Sequence, residues 1–270
     1  MIEQQFCTLS TYPMDMKTEP NYPVRTTARS FEILEFLREN HGAGVTEAAT
    51  ALDMSKGVVH NHLNTLEASE YIVKEDDEYR LSLRFLELGE YQRNQSRLYT
   101  IGREHVEELA AETGELVNLA TEEHGRCVYL HLSRGEQAVE VDIHAGCRPP
   151  LHTTALGKAI LAHLPEERTK EIIDARGMRQ STKQSIGDID ELFSELGEVR
   201  DRGVAFDREE RLPGLRCVAA PIKKNNGKVA GAISVSGPMT RLQGETFKQT
   251  LPDLVRSTAN VIELNIEYSD

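Results

Sequence analysis

Residues Val45–Leu81, VTEAATALDMSKGVVHNHLNTLEASEYIVKEDDEYRL, hold two short helical runs followed by a hairpin pattern. Thr46 is placed to cap a helix that ends near Met54. Ser55 opens a second helix reaching about Ser69, with Gly57 near its start. In that second helix Val59, Leu63 and Leu66 recur at i, i+4 and i+7 and make one buried stripe. The opposite face then carries Lys56, His60, Asn61 and Asn64, hydrogen-bonding side chains gathered toward the helix start. In a helix-turn-helix the second helix enters the major groove of DNA and its first turns meet base edges. Tyr71 to Lys74 and Glu78 to Leu81 are strand-like and flank the acidic, turn-forming Glu75-Asp76-Asp77, which reads as a wing. The competing reading is a small helical subdomain that touches no nucleic acid, because this spacing also occurs in proteins that bind none.

Upstream, Phe31, Leu34 and Leu37, with Ile33 and Phe36, give a first helix its core face, and His41-Gly42 stops it. Arg25 and Arg29 stand at its start, either as phosphate or minor-groove contacts or simply as solvated charge. Downstream, Leu83 to Glu112 reads as a mainly helical linker. Its spare apolar positions either pair with a second subunit or pack on their own domain. Residues 1–22 lack periodicity and are expected to form a disordered tail, with Met14 and Met16 as alternative starts. The expected organisation is a winged helix-turn-helix over 23–84, a linker helix over 85–112 and a second domain over 113–270.

A chain of 270 residues with 39% hydrophobic content suits two modest domains. It has no apolar run near the ~20 residues that span a bilayer and no signal-like start, so a cytoplasmic protein without membrane partners is expected. Cys7, Cys127, Cys147 and Cys217 are scattered without a CxxC pair, and reduced thiols are expected. The net charge of -13 is awkward for contact with phosphate. From Val24 to Arg84 seven basic residues face eleven acidic ones, a balance of -4. Either this segment binds protein, or the chain works at high salt, where surplus carboxylate keeps it soluble. Acidic residues spread along the whole chain, Arg outnumbering Lys 21 to 10 and 6% aromatics favour the second and suggest a halophile.

Beyond Leu116 strands and helices alternate. Val117 to Thr121, Cys127 to Leu132, Val139 to Ile143, Val218 to Ile222 and Val229 to Val235 are β-rich, and helices are expected after Thr154, Glu166, Asp190 and Leu251. The first three runs follow one another over short turns, so their pairing is antiparallel and the fold class α+β. Gly146 to Leu161, GCRPPLHTTALGKAIL, holds a helix capped by Thr153 or Thr154, whose free N–H groups attract anions. Gly157-Lys158 is not a phosphate loop, because the glycine needed five residues earlier is His152. Lys158 is expected as a surface or helix-end charge.

The stretches LHTTALGKAILA, GVAFDREE, CVAAPI and GAISVSGP, in order behind the winged helix, resemble the IclR family of transcriptional regulators from about Val24 to Ile262. With the charge pattern, the resemblance points to a halophilic archaeon. It implies a GAF-like antiparallel sheet with flanking helices in the second domain, dimers through the DNA-binding half and tetramers through the effector domains. It also implies an effector pocket of Ala155, Leu156, Asp207, Cys217, Ser234 and Ser236. There the N–H groups of Ala155 and Leu156 would hold a carboxylate, the two serine hydroxyls its other oxygens, and Asp207 a ligand hydroxyl or a neighbouring donor. Family members taking the smallest ligands have smaller residues at the two helix-start positions, so Leu156 narrows or reshapes the pocket.

No cofactor is expected. His144, Cys147, His152 and Cys217 form a soft set suited to zinc only if their loops converge, and their spacing is not diagnostic. A Cys-His nucleophile lacks a third member. The expected function is a ligand-responsive regulator of a catabolic operon, sensing a small organic acid and binding a pseudopalindromic operator as a homo-oligomer. The alternative is a small-molecule carrier or enzyme whose winged helix contacts protein.

Overall fold

The computed structural model describes residues 22–268 and builds the N-terminal unit from α1 (Arg25–Glu39), α2 (Val45–Ala51), α3 (Lys56–Ala68), β1 (Ile72–Glu75), β2 (Glu78–Leu81) and α4 (Arg84–Asn94). Apart from Tyr22, the expected tail lies outside these residues, as do Cys7, Met14 and Met16. Ile33, Leu34 and Leu37 of α1 meet Ala48, Ala49, Val59, Leu63, Ile72 and Tyr79 in one small core, with Leu66 packed at its margin. Ser55 caps α3 as expected, its hydroxyl accepting from the Val58 N–H at 3.3 Å.

Thr46 is not a cap. Gly44 precedes α2 in extended conformation, and Thr46 lies inside the first turn. The neighbouring Ala43 is tied to Tyr79 by backbone hydrogen bonds in both directions, of 3.1 and 2.9 Å, and this fixes where the chain turns into the helix. The far end also comes early, at Ala51, because Asp53 takes a positive φ of 50° and the Met54 N–H turns back to the Ala49 carbonyl. In the wing Glu75 pairs with Glu78, and Asp76 turns the tip at φ 54°.

The single expected linker helix is two helices. Ser96 accepts from the Tyr99 N–H and starts α5 (Arg97–Thr113), and the chain divides into its two units between Arg93 and Asn94. No residue of α4 is buried, whereas Leu98, Tyr99, Gly102, Val106, Leu109 and Ala110 of α5 are. The linker character therefore belongs to α4, and α5 is part of the second unit's core.

That unit contains β3 (Leu116–Glu123), β4 (Arg126–Arg134), α6 (Ala155–Leu161), α7 (Glu166–Arg176), α8 (Ile189–Arg202), β5 (Ala205–Arg208), β6 (Leu215–Lys223), β7 (Val229–Pro238) and α9 (Leu251–Tyr268). The sheet runs β4-β3-β7-β6-β5 with every pairing antiparallel, so the α+β class holds. Alternation along the strands separates its faces. Val117, Leu119, Val218, Ile233 and Val235 pack with residues of α5 and α9, while Leu116, Ala205, Cys217, Ala219 and Ala232 pack with residues of α6, α7 and α8.

Val139 to Ile143 is not a strand. The backbone of β4 is bonded instead by Gly146 to Pro149: Tyr129 donates to the Cys147 carbonyl, Cys127 to that of Pro149, and Gly146 to that of Tyr129. Arg134 then satisfies the Val141 and Ile143 carbonyls at 3.2 and 3.4 Å. The four-residue β5, within the GVAFDREE stretch, is a strand that periodicity did not show.

Candidate functional sites

In the N-terminal unit α3 turns Val59 and Leu63 inward, and the helical period leaves Lys56, Gly57, His60, Asn61 and Asn64 exposed on the other side. The Asn64 amide meets the His60 ring at 3.3 Å, so these two side chains support one another. His62 instead faces α1 and meets the Ser30 hydroxyl at 2.8 Å, fixing α3 from behind. A Cβ on Gly57 would meet nothing within 4 Å, so the glycine leaves bare backbone on the exposed face. Arg25, Arg29, Thr46 and Ser55 are also exposed. On the wing Arg80 is held by Glu75 and Glu78 at 3.3 Å each, and Lys74 lies over the Tyr79 ring, so its cations are engaged within the hairpin.

In the second unit one row of cross-strand partners runs Leu116, Ser236, Cys217, Asp207 over β3, β7, β6 and β5, and the next runs Asn118, Ser234, Ala219, Ala205. Leu116, Ser236, Cys217 and Asp207 of the first row and Asn118 and Ser234 of the second form the floor of a cavity of about 370 Å³, mouth included, which the start of α6, Tyr129, Val141, Ile143 and Arg211 close from the sides. All six residues Ala155, Leu156, Asp207, Cys217, Ser234 and Ser236 line it. Thr154, not Thr153, caps α6 by accepting from the Gly157 N–H at 2.9 Å. The first i to i+4 bond of α6 runs from Lys158 to Thr154, which leaves the Ala155 and Leu156 N–H groups ahead of it.

Sequence reasoning missed Asn118, Tyr129 and Arg211. Asn118 carried a signal, a polar residue at an inward position of the apolar run LVNLA. It donates to Ser234 at 3.4 Å and Ser236 at 3.3 Å, while its Oδ1 is buried without a hydrogen-bond partner. Arg211 lies just past the GVAFDREE stretch and gives no periodic cue. Its guanidinium donates to the Tyr129 hydroxyl at 2.8 Å and lies over that ring.

Burial, with the charge of Glu210 beside it, pushes the Asp207 carboxyl up to about 7, while Lys158 and the Glu210 and Arg211 N–H groups oppose the rise. One Asp207 oxygen accepts from the Glu210 N–H at 2.7 Å, so it holds a neighbouring donor in place. Burial also pushes the Cys127 thiol up to about 12 and raises that of Cys217, which keeps both protonated and poor nucleophiles.

Lys158 is not a surface charge. It is fully buried, and its ammonium donates to both Glu210 carboxylate oxygens at 2.5 and 2.6 Å. The histidines and cysteines do not converge. His152 bonds the Arg179 carbonyl, His144 the Ala145 carbonyl, and Cys147 is disulfide-bonded, against the expectation of reduced thiols. Among the described residues no three His, Cys, Asp or Glu side chains are placed to hold a metal ion, and no helix is long and apolar enough to cross a membrane.

Residues 26–76 match the IclR helix-turn-helix domain, and residues 94–264 match the bacterial transcriptional regulator IclR C-terminal domain. The chain belongs to the IclR family of transcriptional regulators. Among its IclR relatives, the probable HTH-type transcriptional regulator ArcR of Halobacterium salinarum is 36% identical over 90% of this chain and 94% of its own. The HTH-type transcriptional regulator KdgR of Dickeya chrysanthemi is 31% identical over 95% of this chain and 84% of its own. The crystal structure of the Thermotoga maritima IclR superposes with a TM-score of 0.74 at 29% identity, covering 90% of this chain and 99% of that one.

Proposed function

We propose that α3 reads operator DNA through Lys56, His60, Asn61 and Asn64. In this reading Arg25, Arg29, Thr46, Ser55 and Gly57 fit the phosphate backbone around it, and the second unit's cavity senses a small organic acid. The observation that carries the sensing half is the convergence of six residues, from α6, β5, β6 and β7, on one buried cavity. The DNA-reading half is supported by the exposed donor face of α3 in a unit of the IclR helix-turn-helix family.

Two copies would present their α3 helices about 34 Å apart on a pseudopalindromic operator. The exposed Leu83, Leu86, Leu88 and Tyr91 in and beside α4 suit contact between copies, as a dimer or a dimer of dimers. Ligand occupancy then changes operator affinity, and a coupling of ~1–3 kcal/mol is enough for a five- to hundredfold effect. The regulated genes would be a catabolic operon under repression or dual control. The relative from Halobacterium salinarum and the acidic composition both suit a cytoplasm of high salt. The protein acts by binding, since its relatives are regulators and the Cys217 thiol in its cavity stays protonated.

The test is fluorescence anisotropy of DNA from upstream of the protein's own gene, across a range of potassium chloride concentrations. Specific binding that Lys56→Ala and Asn61→Ala each weaken is expected. Absence of specific binding at every salt concentration would refute the reading.

A further inference from the structure

Arg211 is a cation in the cavity wall, and among the described residues no carboxylate makes an ion pair with it. Burial by itself would weaken its charge, but the nearby Asp207 carboxylate favours the charged form and a guanidinium keeps its proton in proteins. The other buried cation nearby, Lys158, is already matched by Glu210, and Asp207 is engaged by a backbone N–H. Among the described residues, one positive charge therefore faces the cavity without a carboxylate ion-paired to it. A bound cation would be repelled there, and a neutral compound would leave the guanidinium without its charge-assisted partner.

The second observation lies on the floor. Asn118 is 1% exposed, its amide nitrogen is committed to Ser234 and Ser236, and its Oδ1 has no partner. A buried carbonyl oxygen in that state calls for a donor. A hydroxyl supplies one and a ketone does not. The rest of the lining is largely aliphatic, including Leu116, Val141, Ile143 and Leu156, which suits a short hydrocarbon body.

We infer that the compound sensed in this cavity is a short hydroxycarboxylate, its carboxylate held by Arg211, which Tyr129 presents, and its hydroxyl donating to Asn118 Oδ1. The inference rests on the sensing role proposed above. It assigns the anion to a side chain rather than to the α6 N–H groups, and it makes Asn118 the residue that separates hydroxy acids from keto acids.

The experiment is calorimetric titration of the full-length protein with sodium glycolate, lactate, glycerate and 3-hydroxybutyrate, with pyruvate and acetoacetate as keto acids and lactamide as a neutral analogue. At least one hydroxy acid should bind, at least about tenfold more tightly than its keto partner and than lactamide. Arg211→Gln should weaken that hydroxy acid about tenfold or more and erase its advantage over the amide. Tyr129→Phe, which leaves the guanidinium in place without its anchor, should weaken it by a smaller factor. Asn118→Ala should bring the hydroxy and keto acids to equal affinity. Thermal melts of each variant without ligand show whether it folds, and should Arg211→Gln unfold, Tyr129→Phe carries the test. The inference falls if keto acids or lactamide bind as well as hydroxy acids, if no hydroxy acid binds, or if a folded Arg211 or Tyr129 variant binds unchanged. If another compound binds the cavity and releases operator DNA, only this inference fails. If no compound in a broader metabolite screen alters DNA binding, the sensing role fails with it.

Discussion

The Lys158 ammonium and the Glu210 carboxylate form an ion pair in the interior, with both carboxylate oxygens within 2.6 Å of Nζ and a Glu195 oxygen at 3.8 Å. The pair joins α6, which opens onto the cavity, to the segment after β5, where the Glu210 N–H bonds Asp207. Ser185 holds the Glu210 carbonyl from a third direction. Removing one partner of such a pair strands the other charge in a medium that cannot solvate it. Lys158→Ala should therefore destabilise the protein by about 3–5 kcal/mol in urea denaturation. The double substitution Lys158→Met with Glu210→Leu should recover most of that loss, since an apolar pair of similar volume removes both buried charges of the pair. A double variant no more stable than the single would show that the charges themselves are required.

Asp207 makes stability depend on pH in a direction opposite to most carboxylates. Its folded-state value, about 7, lies above its ordinary 3.8, so between those limits the folded protein keeps a proton that the unfolded chain has released. This group's contribution to stability is present below about pH 4 and lost as pH rises through 7. The charged and titrating groups facing it are Glu210, Lys158, Arg211, Cys217 and Tyr129. Asp207→Asn retains an oxygen for the Glu210 N–H and carries no charge. It should be more stable than the parent at pH 8, by at most about 4 kcal/mol, and show a smaller fall in stability between pH 4 and 7. Parallel stability-pH curves for the two proteins would exclude Asp207 as the source.

Two glycines in helices should respond oppositely to alanine. At Gly157 a Cβ would sit 2.1 Å from the Leu151 carbonyl oxygen, so α6 can approach the preceding turn only with no side chain there. Gly157→Ala should cost ~1–3 kcal/mol or more in thermal or urea unfolding and disturb the cavity. At Gly57 a Cβ has open space, and alanine should stabilise α3 by about 1 kcal/mol. The same substitution places a methyl group on the exposed face of α3, and operator affinity should drop although stability rises. An unchanged affinity would move the DNA contact elsewhere on the helix.

The acidic N-terminal unit leaves few cations for phosphate, and Arg80 is held by its own hairpin. The slope of log affinity against log salt should therefore be shallow, well below the ~6–10 phosphate contacts of a strongly basic repressor. Lys56→Ala should reduce the slope by about 1, whereas Asn61→Ala should lower specific affinity about tenfold or more with the slope unchanged. Anisotropy titrations between low and high potassium chloride distinguish these effects, and a steep parental slope would contradict the first expectation.

Much of the fold was legible because it rests on local chemistry. The 3.6-residue period of Val59, Leu63 and Leu66, the Ser55 cap and the turn-forming tip at Asp76 each act within a few residues, and each is where the linear pattern placed it. Where expectation failed, a distant partner had intervened. Thr46 lost the cap because Ala43 is pinned to Tyr79, and Val139 to Ile143 lost its strand because Gly146 to Pro149 already bonds β4.

The family motifs were legible too, and the six residues they implied do share a cavity. What that cavity contains was not. Lys158 looked like a surface charge because nothing near it in the chain is acidic, and its partner Glu210 lies 52 residues away. Arg211 meets Tyr129 across 82 residues, and Asn118 meets Ser234 across 116. By itself the sequence determined the recognition-helix pattern and the α+β class, carried by short-range periodicity, capping and turns, and the family, carried by its motif stretches. Only the tertiary structure decided which charges are buried, which are matched and which polar atom is left waiting, because electrostatics and desolvation depend on neighbours in space.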